Sequence, residues 1–188
     1  MEDLQKKKEE ILINFLSKTK NMLKPENLIF DERKIEYCSK RIAYQIFESN
    51  INSEEVFLVG IADNGYVFAK KVEKILTDIS QIQIKTLKLE IDKKKPGNKI
   101  SLNFEVKNFE NKSLVIVDDV LNTGLVLAHA LKYLLIVHIK QIKIAVLVNR
   151  EHNKFPIKAD FKGISLSTSV NETIKVNLVG KQKGIYLI

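Results

Sequence analysis

Residues 113–125 read Ser-Leu-Val-Ile-Val-Asp-Asp-Val-Leu-Asn-Thr-Gly-Leu. An apolar run ends in two adjacent carboxylates, Asp118 and Asp119. A short loop closes with Thr123-Gly124, and helical spacing begins. A strand that passes through a short loop into a helix is the building unit of an open α/β sheet, and such sheets bind ligands beyond the carboxyl ends of their strands. Loop amides and a helix N-terminus together attract an anion. Two carboxylates beside a phosphate would repel it unless they had other partners, such as ribose hydroxyls or a magnesium ion with its waters. The pattern therefore asks for a sugar phosphate with a metal. The structural alternative is that Asp118 and Asp119 end a strand and open a turn, a common use of Asp. Neither Gly-x-x-x-x-Gly-Lys-Ser/Thr nor Gly-x-Gly-x-x-Gly occurs, which argues against a P-loop NTPase or a dinucleotide enzyme.

The rest of the chain alternates in the same way. Leu4, Ile11, Leu12, Phe15, Leu16 and Leu23 recur at near-helical spacing, which predicts an amphipathic helix over 3–23 that docks on the domain or on a second subunit. Asp31 is placed to cap a second helix with Ile35, Cys38, Ile42, Ile46 and Phe47 on one face. Residues 56–61 form a short apolar run, as in a strand buried on both faces, and 62–65 (Ala-Asp-Asn-Gly) are turn chemistry before another helix. Residues 82–91 alternate as a strand with one wet face, 92–99 read as loop, and Leu102, Phe104 and Val106 alternate again. A strand over 112–117, a helix over 124–139 and a strand over 141–148 follow. Residues 150–169 show little periodicity, and 174–179 and 184–188 predict two terminal strands joined by a polar turn. The expected fold is α/β, a doubly wound and mainly parallel sheet.

With 188 residues the chain makes one domain, or one domain with an arm. No apolar stretch approaches the ~18 residues of a membrane span, and the charged N-terminus is not expected to be a signal peptide. The single cysteine, Cys38, falls on an apolar helix face and reads as a buried structural thiol. It excludes a disulfide framework and suits a reducing, cytoplasmic setting. Basic residues outnumber acidic ones by 31 to 23, a net charge of +8. That balance suits a polyanionic partner such as nucleic acid or a phosphorylated metabolite; scattered surface lysine is the plain alternative. His129 and His138 fall in the helix after the loop and His152 beyond the following strand; the three show no metal-ligand spacing.

Val115 to Gly124 resembles the PRPP-binding signature of type I phosphoribosyltransferases. The similarity extends to the pyrimidine-operon regulator and uracil phosphoribosyltransferase (PyrR) family. Asp31-Glu32 with Arg41-Ile42-Ala43 resembles its first helix, and 58–65 its pyrophosphate loop. Residues 145–152, 155–163 and 167–169 resemble the hood over its base. The resemblance covers about residues 27–188 and implies a type I phosphoribosyltransferase fold over 25–188, with a small C-terminal hood β region and residues 1–24 as a helical arm. It implies Asp118 and Asp119 as the catalytic pair, holding ribose hydroxyls and the shell of a Mg2+ cofactor. Asn122, Thr123, Gly124 and Leu125 would hold the 5′-phosphate, and Ala62, Asp63, Asn64 and Gly65 pyrophosphate. Asn149, Arg150, Gly163 and Ile164 would line the base pocket. It further implies a homo-oligomer, dimer or tetramer.

The chain departs from the pattern in three places. Val126 replaces a Thr of the phosphate cradle, and Asn64 with Asp63 replaces a basic group before Gly65. Glu90-Ile91-Asp92-Lys93 stands where the family reads Tyr-Arg-Asp-Asp. Each departure removes a PRPP contact, and Lys93, Lys94 and Lys95 are the available replacement charge. Three functions stay open on these grounds. They are a PRPP-dependent transferase making a nucleoside monophosphate, from uracil first; a nucleotide-sensing, RNA-binding regulator of pyrimidine genes; and a nucleotide-binding paralogue without turnover.

Overall fold

The computed structural model of the protein describes residues 25–169 and 171–188. The helix expected over 3–23 lies outside the described residues. Its strands are β1 (Leu28–Asp31), β2 (Glu55–Ile61), β3 (Gln83–Glu90), β4 (Ser101–Leu102), β5 (Ser113–Leu121), β6 (Gln141–Arg150), β7 (Phe161–Leu166), β8 (Ile174–Asn177) and β9 (Gly184–Leu187). The α-helices are α1 (Glu32–Ser49), α2 (Ala62–Ile79) and α3 (Leu125–Leu134). Among the described residues no helix is long and apolar enough to cross a membrane.

Six strands form the main sheet in the order β4-β3-β2-β5-β6-β7. All neighbours run parallel except β4, which pairs antiparallel with β3. The β2 and β5 runs are apolar throughout because both faces are covered. Val56, Leu58, Val115 and Val117 pack under α1 and α2 with Ile42, Ile46, Phe68 and Val72. Phe57, Val59, Leu114 and Ile116 pack on the other face with Leu127, Ala130 and Leu134 of α3. Asp31 caps α1 as its position predicts: its Oδ1 accepts from the Lys34 backbone N–H at 2.8 Å. Cys38 is buried, its thiol donating to the Gly163 carbonyl at 3.4 Å, and burial raises its pKa.

Several sequence expectations change in detail. β5 continues through Asp118 and Asp119 to Leu121 because β6 still pairs with it there, Leu121 facing Asn149. Residues 62–65 are the first turn of α2, entered directly from β2 with the change of direction taken at Ala62, whose φ is +46°. The alternation at 102–106 is not a strand beyond Leu102. Phe104 and Phe109 instead close on Phe57, with ring centroids 5.0–5.5 Å apart, and a 3-10 turn spans Val106–Phe109. α3 stops at Leu134, leaving Leu135 and Ile136 exposed at 57% and 71%, as the chain turns back so that Asn111 N–H reaches the His138 carbonyl. The aperiodic stretch 150–169 contains β7, hidden by Gly163 and polar residues on a sheet edge.

The hood is also built differently. β1, β9 and β8 make a separate antiparallel three-stranded sheet from both ends of the described chain, β9 in the middle. Residues 145–150 and 161–166, expected over the base, are β6 and β7 of the main sheet.

Cys38 and Arg41 of α1 meet β7 at Gly163, both donating to its carbonyl. A Cβ there would stand 2.5 Å from the Leu147 carbonyl oxygen and 3.1 Å from Cys38 Cβ. Overpacking of this kind costs about 1–3 kcal/mol. Gly163→Ala is expected to lower unfolding free energy by that amount in a urea titration; a change within about 0.5 kcal/mol, the usual surface range, would mean that the helix yields freely.

Candidate active site

The strand order reverses between β2 and β5, since β2 leads through α2 to β3 on one side while β5 lies on the other. Pairing of β2 with β5 ends at Gly60–Val117. Beyond it β2 has become α2, and Asp118 and Asp119 face the gap that opens. Such a gap is where an open α/β sheet holds its ligand. Two glycines close it to the right width. A Cβ on Gly60 would lie 2.5 Å from Tyr66 Cα, and one on Gly65 2.7 Å from the Val117 carbonyl oxygen. Their absence lets the first turn of α2 rest directly against the carboxylate pair.

Both carboxylates are buried, with side chains 4% and 11% exposed. Lys93 Nζ donates to Asp118 Oδ1 at 2.8 Å and to Asp119 Oδ1 at 2.9 Å. The Asp119 backbone N–H donates to Asp118 Oδ1, and Asn64 Nδ2 donates to Asp119 Oδ2 at 3.0 Å. Burial, then the neighbouring Asp119, pushes Asp118 up to about 8 against the pull of Lys93. Burial acts on Asp119 too, but the Lys93 charge and hydrogen bonds from Asp118, Lys93 and Asn64 outweigh it and hold its pKa below the usual range. Burial alone would lower the Lys93 pKa; the two carboxylates hold it well above its ordinary value.

The loop after β5 is held from outside. Gly124 takes φ +85° as the N-cap of α3, which a side chain would resist. The Thr123 carbonyl accepts from Lys154 and Phe155 N–H groups at 2.9 and 3.0 Å, and Thr123 Oγ1 accepts from Leu125 N–H at 3.3 Å. Arg150 is buried, and its guanidinium donates to Asn122 Oδ1 (3.3 Å), Thr168 Oγ1 (2.7 Å) and the Ser169 carbonyl (2.9 Å). Among the described residues no carboxylate lies within ion-pair distance of Arg150; its charge sits behind the loop and is felt by the Glu172 carboxylate, which accepts from the Ser169 N–H. The loop, Lys93, Asp118, Asp119 and Ile174 of the small sheet enclose a cavity of about 290 Å3, with α3 as its floor. Asn64 Nδ2 also donates to the Val176 carbonyl at 3.1 Å, tying the small sheet to the carboxylates.

Of the expected site residues, Asp118, Asp119 and 122–125 line this cavity, together with Val126, which also packs on the second core face. Asn64 meets them through Asp119. Asp63 points outward to Lys88 at 2.9 Å. Asn149 donates to Ser165 Oγ at 3.3 Å; its Oδ1 is buried and has no hydrogen-bond partner among the described residues. Gly163 stands against Cys38 of α1, Ile164 packs against the first core cluster, and neither lines the cavity. His152 Nε2–H donates to the Thr168 carbonyl at 2.7 Å, bracing the same outer loop as Arg150. The placement of Lys93 and the loop-bracing of Arg150 are not signalled by spacing.

A resident magnesium ion is not suited to this arrangement. Among the described residues no group of three or more His, Cys, Asp or Glu side chains is gathered to hold a metal by protein ligands alone. The two carboxylates that remain already share an ammonium.

The family model described as "Phosphoribosyl transferase domain" matches residues 27–179. Proteins named "Bifunctional protein PyrR" are similar along most of their length. That of Leuconostoc mesenteroides is 35% identical over 161 residues, covering 81% of this chain and 91% of its own. That of Clostridium beijerinckii is 31% identical over 164 residues, covering 83% and 92%. Among solved structures, a hypoxanthine phosphoribosyltransferase of Trypanosoma cruzi superposes with a TM-score of 0.72 at 15% identity, over 86% of this chain and 95% of that one. A hypoxanthine-guanine phosphoribosyltransferase of Bacillus anthracis gives 0.65 at 18% identity, over 78% and 84%. The likeness to these structures is one of fold, the type I phosphoribosyltransferase fold with its extra antiparallel sheet. The match over most of the chain and the identity above 30% settle the family: the chain belongs to the phosphoribosyl transferase domain family, in the branch that holds the bifunctional PyrR proteins.

Proposed function

We propose that the chain transfers the 5-phosphoribosyl group of PRPP to uracil, giving UMP and pyrophosphate. One observation carries this reading: a buried carboxylate pair at the reversal of strand order is followed directly by a loop whose amides open α3. That arrangement binds the ribose of a nucleotide beside its phosphate. The amides of Asn122 to Leu125 take the 5′-phosphate, with the helix N-terminus and the buried Arg150 charge behind them. Asp118 and Asp119 accept hydrogen bonds from the ribose hydroxyls. Magnesium arrives as part of the substrate, on the pyrophosphate of PRPP.

In the transfer, the bond from C1′ to the pyrophosphate oxygen breaks and a bond from C1′ to a ring nitrogen of the base forms. The electron pair leaves with pyrophosphate, and the nitrogen's proton passes to solvent. Positive charge develops on the ribose ring between these events. Preorganised carboxylates beneath that ring stabilise it more than they stabilise the ground state. The base approaches at the carboxyl end of β6, where Asn149 stands; its buried, unpartnered Oδ1 accepts a hydrogen bond from an imide N–H once the side chain turns outward.

Val126, Asn64 and Ile91 each take away a PRPP contact. Asn64 is committed to Asp119 and the Val176 carbonyl, and Ile91 is packed in the core. Two such losses near 2 kcal/mol would slow transfer about a thousandfold. Incubation with magnesium-PRPP is expected to release pyrophosphate with uracil and not with hypoxanthine, slowly compared with relatives that keep these contacts. Val126→Thr, which adds a hydroxyl to the cradle, is expected to raise kcat/KM for PRPP by about tenfold. Fast turnover of a purine base would overturn the uracil assignment.

A second reading is favoured by the net charge of +8 and by the word "bifunctional" in the names of the relatives. The UMP-bound form binds a pyrimidine-gene mRNA and regulates it. Filter binding of such a leader RNA is then expected to tighten with UMP and to weaken steeply with salt. Binding that ignores UMP would reject this role.

A further inference from the structure

The carboxylate pair has one counter-ion. Among the described residues Lys93 is the only cation within ion-pair distance of Asp118 or Asp119, and it bridges both at 2.8 and 2.9 Å. Its position is built, not incidental. Ile91 anchors the start of the β3–β4 connection in the core. Asp92 then organises a turn, with its Oδ1 accepting from Lys94 N–H at 2.8 Å and its carbonyl from Lys95 N–H at 3.2 Å. Lys93 is thereby aimed at the carboxylates. Unlike them it is 39% exposed, so it has a route out to solvent.

A magnesium ion at the pair would need carboxylate oxygens at about 2.0–2.1 Å in octahedral geometry. An ammonium already bonded to an oxygen of each carboxylate excludes it, by volume and by charge repulsion. We propose that Lys93 is a tethered cation standing in for a divalent ion on Asp118 and Asp119, so that the resting site rejects free magnesium and the ribose hydroxyls of a ligand, not a metal, displace the lysine. The metal clause stands on the ion-pair geometry alone; the ligand clause rests on the phosphoribosyl reading above. The displaced ammonium stays tethered beside the site and still supplies the positive charge a metal would bring, so nucleoside monophosphate binding is independent of magnesium.

The test uses the full chain, as wild type, Lys93→Met and Lys93→Arg, with folding of each checked by circular dichroism and cooperative melting. Mn2+ bound to the protein without nucleotide is counted by electron paramagnetic resonance. Lys93→Met is expected to bind one Mn2+ at least about tenfold more tightly than wild type, with Mg2+ competing, while Lys93→Arg stays like wild type. Equal Mn2+ affinity in wild type and Lys93→Met would overturn the proposal, as would an Arg variant that behaves like Met. Should Lys93→Met fail to fold, the wild type and Lys93→Arg decide the matter: tight, stoichiometric Mn2+ binding by either contradicts it. Calorimetry of UMP binding follows in EDTA and in Mg2+. Wild-type affinity is expected to be the same within about twofold in both media, as the tethered ammonium takes the place of a metal; a loss of tenfold or more in EDTA would overturn the ligand clause. If wild type binds no UMP in either medium, the function proposed above fails, and the Mn2+ titration still judges Lys93.

Discussion

Two adjacent carboxylates inside a buried strand have to be given positive charge or hydrogen-bond donors, and the architecture around the site follows from that need. Each ion taken out of water costs several kcal/mol before its partners are counted. Lys93 supplies the charge from the β3–β4 connection, Asn64 an amide from the first turn of α2, and the backbone of Asp119 a further donor. The first two come from chain that has left the sheet at its carboxyl edge, and the third from β5 itself. The result is a polar centre whose partners can be exchanged for those of a ligand without disturbing either core face.

The rest of the fold holds that centre at its edge. Gly60 and Gly65 let α2 begin flush against β5, so the amide of Asn64 reaches Asp119. The same amide bonds the Val176 carbonyl, so the small sheet formed by β1, β9 and β8 is fixed by the site it covers. On the far side, Arg150 and the 152–155 segment brace the loop of Asn122 to Gly124. The loop proposed to cradle phosphate is thus held by hydrogen bonds from Arg150 and from the N–H groups of Lys154 and Phe155, which fixes its amides before a ligand arrives.

Much of this was legible in the chain where the determinants are local. The apolar runs of β2 and β5 announce strands covered on both faces, Asp31 announces a cap, and Asp118-Asp119 with Thr123-Gly124 announces strand, loop and helix within a dozen residues. What depends on tertiary partners was not legible. β1 and β7 are short and lie at sheet edges, with mixed polarity, so neither has a period to detect. Ala62 to Gly65 carries turn residues yet forms a helix, because the close packing of Gly65 on Val117 overrides local preference. The pairing of Lys93 with carboxylates 25 and 26 residues away has no sequence spacing at all. Its presence in a place where the family pattern is acidic was visible; the partner it would choose was not.

The central claim is that Asp118 and Asp119 grip the ribose of PRPP and are not simply a strand end. It is tested most directly by calorimetric titration of PRPP into the double variant Asp118→Asn, Asp119→Asn beside the wild type. The variant keeps the shape of both side chains and frees Lys93 to reach solvent, so cooperative thermal unfolding should persist. The account predicts that PRPP affinity then falls about a hundredfold, the loss of two charge-assisted hydrogen bonds. A folded double variant that binds PRPP as tightly as the wild type would contradict it.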